Sequence, residues 1–370
     1  MQTINATTPE TFELTKTLMQ QKLENLLSNN LSTTQALTQI QRDSDLLDDR
    51  LIQPSAIIKG GHKLFTGGDQ FAMDLEGEQF TFHNNAIGQL SERMGVPTKY
   101  AKNLIKEDWG RDLLSTIFQE HGERKTDKML FRSVDNQFRG VLSNSYRRLD
   151  SMKIYENFIH RSAENGAVIY NASYNDVQTW IEVVIPEVFE IKTANNGSIF
   201  TVFGARIRNS DFGRSTCELR FFQMNVVCTN GMVGEQAVKE IHLGRKYDSI
   251  HYSNKTYELD TRTVSSAIND IVGGVLSSES IAKQAEKMKE STEEVIDTKQ
   301  AVKRLTAAKI ATKEEATEIE EAMLLSDPQE GIQGRPTRWK LTQAMTSVAK
   351  SKSTERRKQL EEMAGKMIFS

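Results

Sequence analysis

A chain of 370 residues, 38% hydrophobic and 26% charged, is long enough for two or three domains with a real core. Its net charge of −3 excludes a uniformly basic polyanion binder, although a local basic face survives such averaging. Two cysteines, Cys217 and Cys228, with no Cys-x-x-Cys, and six histidines without ligand spacing exclude a disulfide scaffold and a structural zinc site.

Both cysteines are expected to be reduced strand residues. No run of about 18 apolar residues exists, and the N-terminus "MQTINATTPETFEL" has neither a basic nor an apolar leader region. The expectation is a cytoplasmic protein with no membrane partner.

Residues 1–60 read as a helical N-terminal arm. Phe12, Leu14, Leu18, Leu23, Leu26 and Leu27 recur at helical spacing, with Thr8 as N-cap and Pro9 at the first helical position. Polar residues dominate the remainder of the arm, so it is expected to face a partner. Residues 61–257 read as an α+β core module. "GGHKLFTGG" lacks the lysine–hydroxyl ending of a phosphate loop and reads as a hairpin turn. "NNAIGQLSERMGVPTKYAKNLIKED" reads as helix, Gly95–Val96–Pro97 turn, helix, a helix-turn-helix in outline only.

From Lys128 the pattern is strand, polar "DNQ" turn, strand, then a helix over "SYRRLDSMKIYENFIHRSAEN". Two further hairpins come next, one around Asn175–Asp176 and one turning at Asn209–Gly213. The order β-β-α-β-β-β-β predicts an antiparallel sheet with packed helices. Residues 258–327 read as long charged helices, with a capping box at Thr312 and Glu315. Residues 328–336 carry the prolines and glycines of a linker, and 337–370 form a helical tail.

Two basic clusters are candidate sites. In a strand, residues two apart share a face. Arg206 and Arg208 therefore share one face of the third hairpin, and Arg214 and Arg220 are in phase with Glu218 on its returning arm. Placed on one side, they make a cationic ribbon of roughly 15–20 Å, suited to phosphates along a single strand. Phe212, at the tip, is the candidate stacking or wedge residue. Tyr146, Tyr170, Tyr174, Trp180 and Phe222 are aromatics interspersed with these cations. The second cluster is Arg139 on a strand with Arg147, Arg148 and Lys153 at a helix start, where exposed N–H groups and cations together would hold an anion. Asp150 is a single acid there against two adjacent arginines. On this reading Arg206→Glu with Arg208→Glu abolishes oligonucleotide binding and barely changes melting temperature.

Catalytic signals are poor: no nucleophile elbow and no metalloprotease motif occurs. Asp135, Asp176, Glu182 and Glu187 have no spacing that selects a Mg²⁺ pair, and His242 and His251 are lone loop histidines. An enzyme is not expected, and no cofactor is implied.

Tyr146–Asp150, "TWIEVVIP", the Val226–Gly231 "VVCTNG" turn and the Ile241–Arg245 "IHLGR" stretch resemble the phage/plasmid-like protein family, a domain of unknown function found on phages and plasmids. The resemblance spans about residues 80–350 and extends to "TRWKLTQAMTS", where Gln343 replaces an expected asparagine. It implies a mobile-element setting and raises the expectation of DNA replication or recombination. The strand order with basic hairpins is similar, as fold analogy only, to phage single-strand annealing proteins of the Red-beta and RecT kind. The combined expectation is a non-enzymatic single-stranded DNA-binding protein, self-associating, with annealing activity and a protein partner at the C-terminal helices. The alternative is an interaction or regulatory factor that binds no nucleic acid.

Overall fold

The computed structural model describes residues 9–28, 31–193, 197–240, 253–325 and 335–369. The protein is α+β, built on two sheets rather than one. Among the described residues, no helix is long and apolar enough to cross a membrane.

The first sheet runs in the order β1-β5-β6-β4-β3-β2. Its strands are β1 (Asp48–Ile52), β2 (Phe65–Thr66), β3 (Ala72–Leu75), β4 (Glu78–Phe82), β5 (Met129–Val134) and β6 (Gln137–Ser143). All pairs are antiparallel except β4 with β6. The "DNQ" turn forms as expected: Asp135 and Asn136 take φ of 50° and 56°, the left-handed pair that a two-residue hairpin needs. "FTGG" likewise closes the β2–β3 hairpin. Three helices pack on this sheet: α4 (Asn84–Met94), α5 (Thr98–Leu104) and α6 (Asp108–Glu123), with the short α3 (Pro54–Lys59) beside α6. Ile87 and Leu90 of α4 and Leu114 and Phe118 of α6 meet Phe71, Phe80, Phe82 and Phe138 in one core. The helix–turn–helix outline is present, and Gly95 ends α4 at φ 72°.

The second sheet runs β12-β11-β10-β8-β7, with β9 also paired to β10. It contains β7 (Val168–Asn175), β8 (Gln178–Val184), β9 (Phe189–Lys192), β10 (Ser198–Asn209), β11 (Cys217–Asn225) and β12 (Asn230–Glu240). In the chain, α7 (Ser151–Glu164) separates the two sets of strands, and it packs on the second sheet. The strands β9 and β12 were not expected from the sequence. The "CTNG" turn uses Thr229 at φ 55° as its left-handed residue. Cys217 is buried in the core, Cys228 is half-buried in this turn, and neither forms a disulfide.

Both faces of the second sheet are covered. Ile181, Val183, Phe203, Ala205, Ile207, Leu219 and Phe221 point to one face. They pack with α7 and with α8 (Asn254–Val275), α9 (Ser278–Glu293) and α12 (Arg338–Ala349). The other face begins with Val184, Phe200, Val202 and Phe222, where Leu23 of α1 (Pro9–Ser28) is fully buried. Further along it carries Glu182, Arg206, Arg208, Glu218 and Arg220, and α13 (Thr354–Phe369) lies over them.

Two segments therefore differ from expectation. The N-terminal helices are not a free arm. Gln20 of α1 donates to the Pro186 carbonyl (3.1 Å) and accepts from the Val188 N–H (3.1 Å), and Ile40 of α2 (Leu31–Asp45) joins the core. Residues 337–369 are not a peripheral tail, since Trp339, Leu341, Met345, Leu360 and Phe369 are all buried. The long charged region also breaks further, into α8, α9, α10 (Thr298–Ala307) and α11 (Lys313–Ala322). The capping box at Thr312 and Glu315 opens α11 as expected. Most of the linker, together with His242, His251 and the Ile241–Arg245 stretch, lies outside the described residues.

Candidate nucleic-acid interface

The strand phasing of the third hairpin is correct: Arg206 faces Arg220 and Arg208 faces Glu218 across β10–β11, all on one side. The expected exposure is not. Arg206 is 2% exposed and Arg220 7%. Arg206 pairs with both Glu182 of β8 and Glu361 of α13, and Lys358 of α13 pairs with the same Glu182. Arg208 binds Glu218 (2.6 Å) and Glu362 (3.0 Å), and Arg220 binds Glu218 (3.0 Å). Burial alone would raise the Glu182 carboxyl. The Arg206 and Lys358 charges outweigh that and hold it well below the usual carboxylate range. The ribbon is an internal ionic layer, filled by acids from an element about 150 positions away in sequence.

Phe212 is also corrected. The hairpin tip folds inward, and Phe212 is buried against Val134 and Val177 with the Arg139 guanidinium 5.9 Å from its ring. Of the other aromatics, Tyr146, Trp180 and Phe222 are buried and Tyr170 and Tyr174 half-buried. Burial pushes the Tyr146 and Tyr170 hydroxyls up, so both stay protonated. Of the hairpin cations Arg208 is half-buried, and Arg214 is the most open, half-exposed and 2.7 Å from Glu355.

The second cluster is likewise absorbed. Arg139 is buried, pairing with Asp43 of α2 and donating to the Tyr174 hydroxyl (2.9 Å). Arg147 grips Asp260 of α8 with two bonds of 2.6 and 2.8 Å. Arg148 pairs with Asp49 of β1 (3.2 Å) and lies 4.8 Å from the Tyr257 ring centre. Lys153 is exposed, 4.0 Å from Glu258. These cations hold β1, α2 and α8 together, which accounts for their placement ahead of a helix.

The anion expected at the α7 N-terminus is the protein's own. The Ser151 N–H donates to the Asp211 carboxylate (2.9 Å), and Asp211 comes from the β10–β11 loop. Asp150 pairs with Arg132 (3.1 Å) rather than with Arg147 or Arg148. Arg132, itself buried, also holds Asp49 (2.7 Å) and the Asp211 carbonyl (2.8 Å). Loss of hydration pushes the Asp211 carboxyl up to about 6, against the pull of Arg132.

That shift has a measurable consequence. A carboxyl whose folded pKa lies above its unfolded value stabilises the fold at low pH and loses that contribution as pH rises through about 6. Glu182, Glu315 and Glu361 act oppositely, but only as pH falls below the ordinary range for glutamate. Between about pH 4.5 and 6.5 Asp211 lowers stability as pH rises, while His83, whose imidazole is held below its ordinary value by burial, raises it. Asp211→Asn keeps an acceptor for the Ser151 N–H. We expect it to remove the Asp211 share, so that its urea midpoint gains on that of the wild type as pH rises through this window and matches or exceeds it at about pH 7. A variant that tracks the wild-type profile would refute the assignment.

What remains open is a cleft between the two sheets. Two adjoining depressions of about 860 and 590 Å³ share Gln89, Glu92, Arg93 and Ser143. Helix α4 forms one wall. Gln89 fixes its position: its side chain donates to the Phe212 carbonyl (2.9 Å) and accepts from the Val141 N–H (2.8 Å). Arg93 donates to the Val141 carbonyl (2.9 Å). Four cations line the cleft without an acid within ion-pair distance among the described residues: Arg93, Lys102, Lys125 and Lys128. Its acids are Glu92, Asp127, Asp176 and Glu355. Asp176 lies 3.9 Å from His83, and Glu355 is taken by Arg214. The remaining lining mixes amides and hydroxyls, among them Asn84, Asn85, Thr98, Ser143 and Asn144, with the apolar Met129, Leu142 and Val177.

Sequence reasoning placed none of these four cations in a site, although the helix–Gly–Val–Pro–helix outline was its signal for Arg93 and Lys102. Among the described residues no group of three or more His, Cys, Asp and Glu gathers to hold a metal ion. Asp135 is bound to Arg42, and Glu182 is buried in the ionic layer. No family model, curated protein or solved structure matches the chain.

Proposed function

We propose that the protein binds single-stranded nucleic acid without catalysis, and that the strand lies in the cleft along α4 rather than on the β10–β11 hairpin. The observation that carries this is the row of cations without acid partners among the described residues, Arg93, Lys102, Lys125 and Lys128, in a cleft that also offers amide and hydroxyl side chains. Unpaired guanidinium and ammonium groups suit phosphates, and amides suit base edges. A phage or plasmid origin, self-association and strand annealing belong to this reading through the family resemblance.

The test is anisotropy of a labelled oligonucleotide at about 50 mM salt. Lys102→Glu with Lys128→Glu should weaken binding at least tenfold. Each lost phosphate contact lowers the salt slope by about 0.7 for a single strand, so the slope should fall by about 1.4. Both lysines reach solvent, so circular dichroism and melting should stay near wild type. No binding by the wild type, or equal binding by the variant, would overturn the reading.

The second reading, an interaction or regulatory factor, is favoured by the absorption of the hairpin arginines into internal ion pairs. It also draws on exposed apolar side chains: Tyr100 (47%) on α5, and Trp109 (64%) and Leu113 (38%) one turn apart on α6. A wild-type protein that ignores single strands at low salt would favour it.

A further inference from the structure

A smaller chamber of about 350 Å³ opens beside the cleft and shares Arg214, Ser215, Thr216 and Glu355 with it. Its floor is the charged face of the second sheet, where Trp180 of β8 and Arg208 of β10 are cross-strand partners. Trp180 is 2% exposed, and its indole N–H has no acceptor in the protein. The Arg208 Nε–H has none either, although its two terminal nitrogens are bound to Glu362 and Glu218. The Ser215 hydroxyl is also unpaired. An indole N–H and a guanidinium Nε–H can only donate. Buried donors without acceptors are costly, so two of them on residues that line one chamber mark a place for an acceptor.

The charges of the walls say which acceptor. The lining holds three cations, Arg208, Arg214 and Lys358, against two acids, Glu218 and Glu355; each cation is also paired, Arg208 with Glu218 and Glu362, Arg214 with Glu355, and Lys358 with Glu182 and Glu361. Glu355, in the first turn of α13, brings the positive end of that helix to the wall. We propose that this chamber binds a phosphate group, either free inorganic phosphate or the terminal phosphate of a strand lying in the cleft. The donor atoms are themselves shut off from solvent, and Arg214, half-exposed and held by Glu355, is the side chain that swings aside to admit the ligand. The strand-end source rests on the cleft reading; phosphate binding itself does not.

The chain has three tryptophans, so its indole N–H region holds three nuclear magnetic resonance signals, and Trp180→Phe identifies that of Trp180. Titration with inorganic phosphate at constant ionic strength should move the Trp180 signal in a saturable way and leave those of Trp109 and Trp339 in place. Trp180→Phe keeps the ring packing and removes the donor. It should weaken phosphate binding about tenfold, as expected for loss of one charge-assisted bond. A 5′-phosphorylated oligonucleotide binding at least tenfold more tightly than its 5′-hydroxyl counterpart identifies the strand end as the source. Equal binding of the two, with the Trp180 signal still responding to phosphate, identifies free phosphate. A Trp180 signal that ignores phosphate, or responds equally to chloride, overturns the proposal. Lys102→Glu with Lys128→Glu should leave phosphate binding intact, so failure of the cleft and failure of the chamber are distinguishable.

Discussion

Arg206→Glu is expected to unfold the protein under conditions in which Arg214→Glu is almost silent. Arg206 is buried between Glu182 and Glu361, and the substitution places a third carboxylate among them with Lys358 and Arg357 left to oppose it. Removing one partner of a buried ion pair costs about 3–5 kcal/mol, and the added like charge increases that. Domains have about 5–15 kcal/mol of stability in total. Arg214 forms a half-exposed pair with Glu355, worth at most about 1 kcal/mol. Urea titration followed by circular dichroism should show the Arg206 variant unfolded or with its midpoint greatly lowered, and the Arg214 variant near wild type. Arg206→Met, which removes the charge without reversing it, should fall between them. A wild-type midpoint for Arg206→Glu would mean that the ionic layer does not form. This outcome is the reverse of what an exposed ribbon predicts, where the same substitution removes binding and leaves melting unchanged.

Gly365→Ala provides a second large effect, and its sign is informative. Gly365 lies within α13, where intrinsic propensity favours alanine by about 1 kcal/mol. The helix crosses β12 so closely that a Cβ at this position would stand 1.8 Å from the Val233 carbonyl oxygen and 2.4 Å from its carbon. Backbone atoms cannot yield as a flexible side chain would. The helix would have to lift from the strand, opening the packing of Phe369 on Phe221 and loosening the cover over Arg206. We expect a loss of about 3 kcal/mol or more, measured as a lower urea midpoint with an unchanged slope. A stabilised Gly365→Ala protein would show that α13 does not sit against β12.

Local features were legible because local chemistry sets them. The left-handed turn at Asp135–Asn136, the Gly95 helix end and the Thr312–Glu315 capping box each depend on residues within a few positions. The alternation along β10 and β11 was also legible, since strand period alone decides which side chains share a face. What covers a face was not. Glu182 and Glu361 lie on elements distant from Arg206, and "TERRKQLEEMAGKMIF" has the composition of a solvated helix although Lys358, Glu361 and Glu362 are buried. Polar pattern marks exposure only when buried charges lack partners, and here they have them. The cleft was missed for a related reason. Its cations come from α4, α5 and the segment before β5, and no short stretch of sequence is basic enough to reveal them.

The closure of α13 over β8 and β10 also sets a timetable for the chain as it is made. The first sheet and its helices are assembled from residues 48–143 and can fold as they leave the ribosome. The second sheet cannot settle in the same way, because the charges of Glu182, Arg206 and Arg208 await counterparts at Lys358, Glu361 and Glu362. Synthesis at roughly 5–20 residues per second separates these partners by on the order of ten seconds. Through that interval the half-built sheet keeps a hydrated, charged face, which discourages the edge-to-edge sticking that an apolar face would invite. The ionic layer thus serves the unfinished protein as a solubilising surface before it serves the finished one as a core.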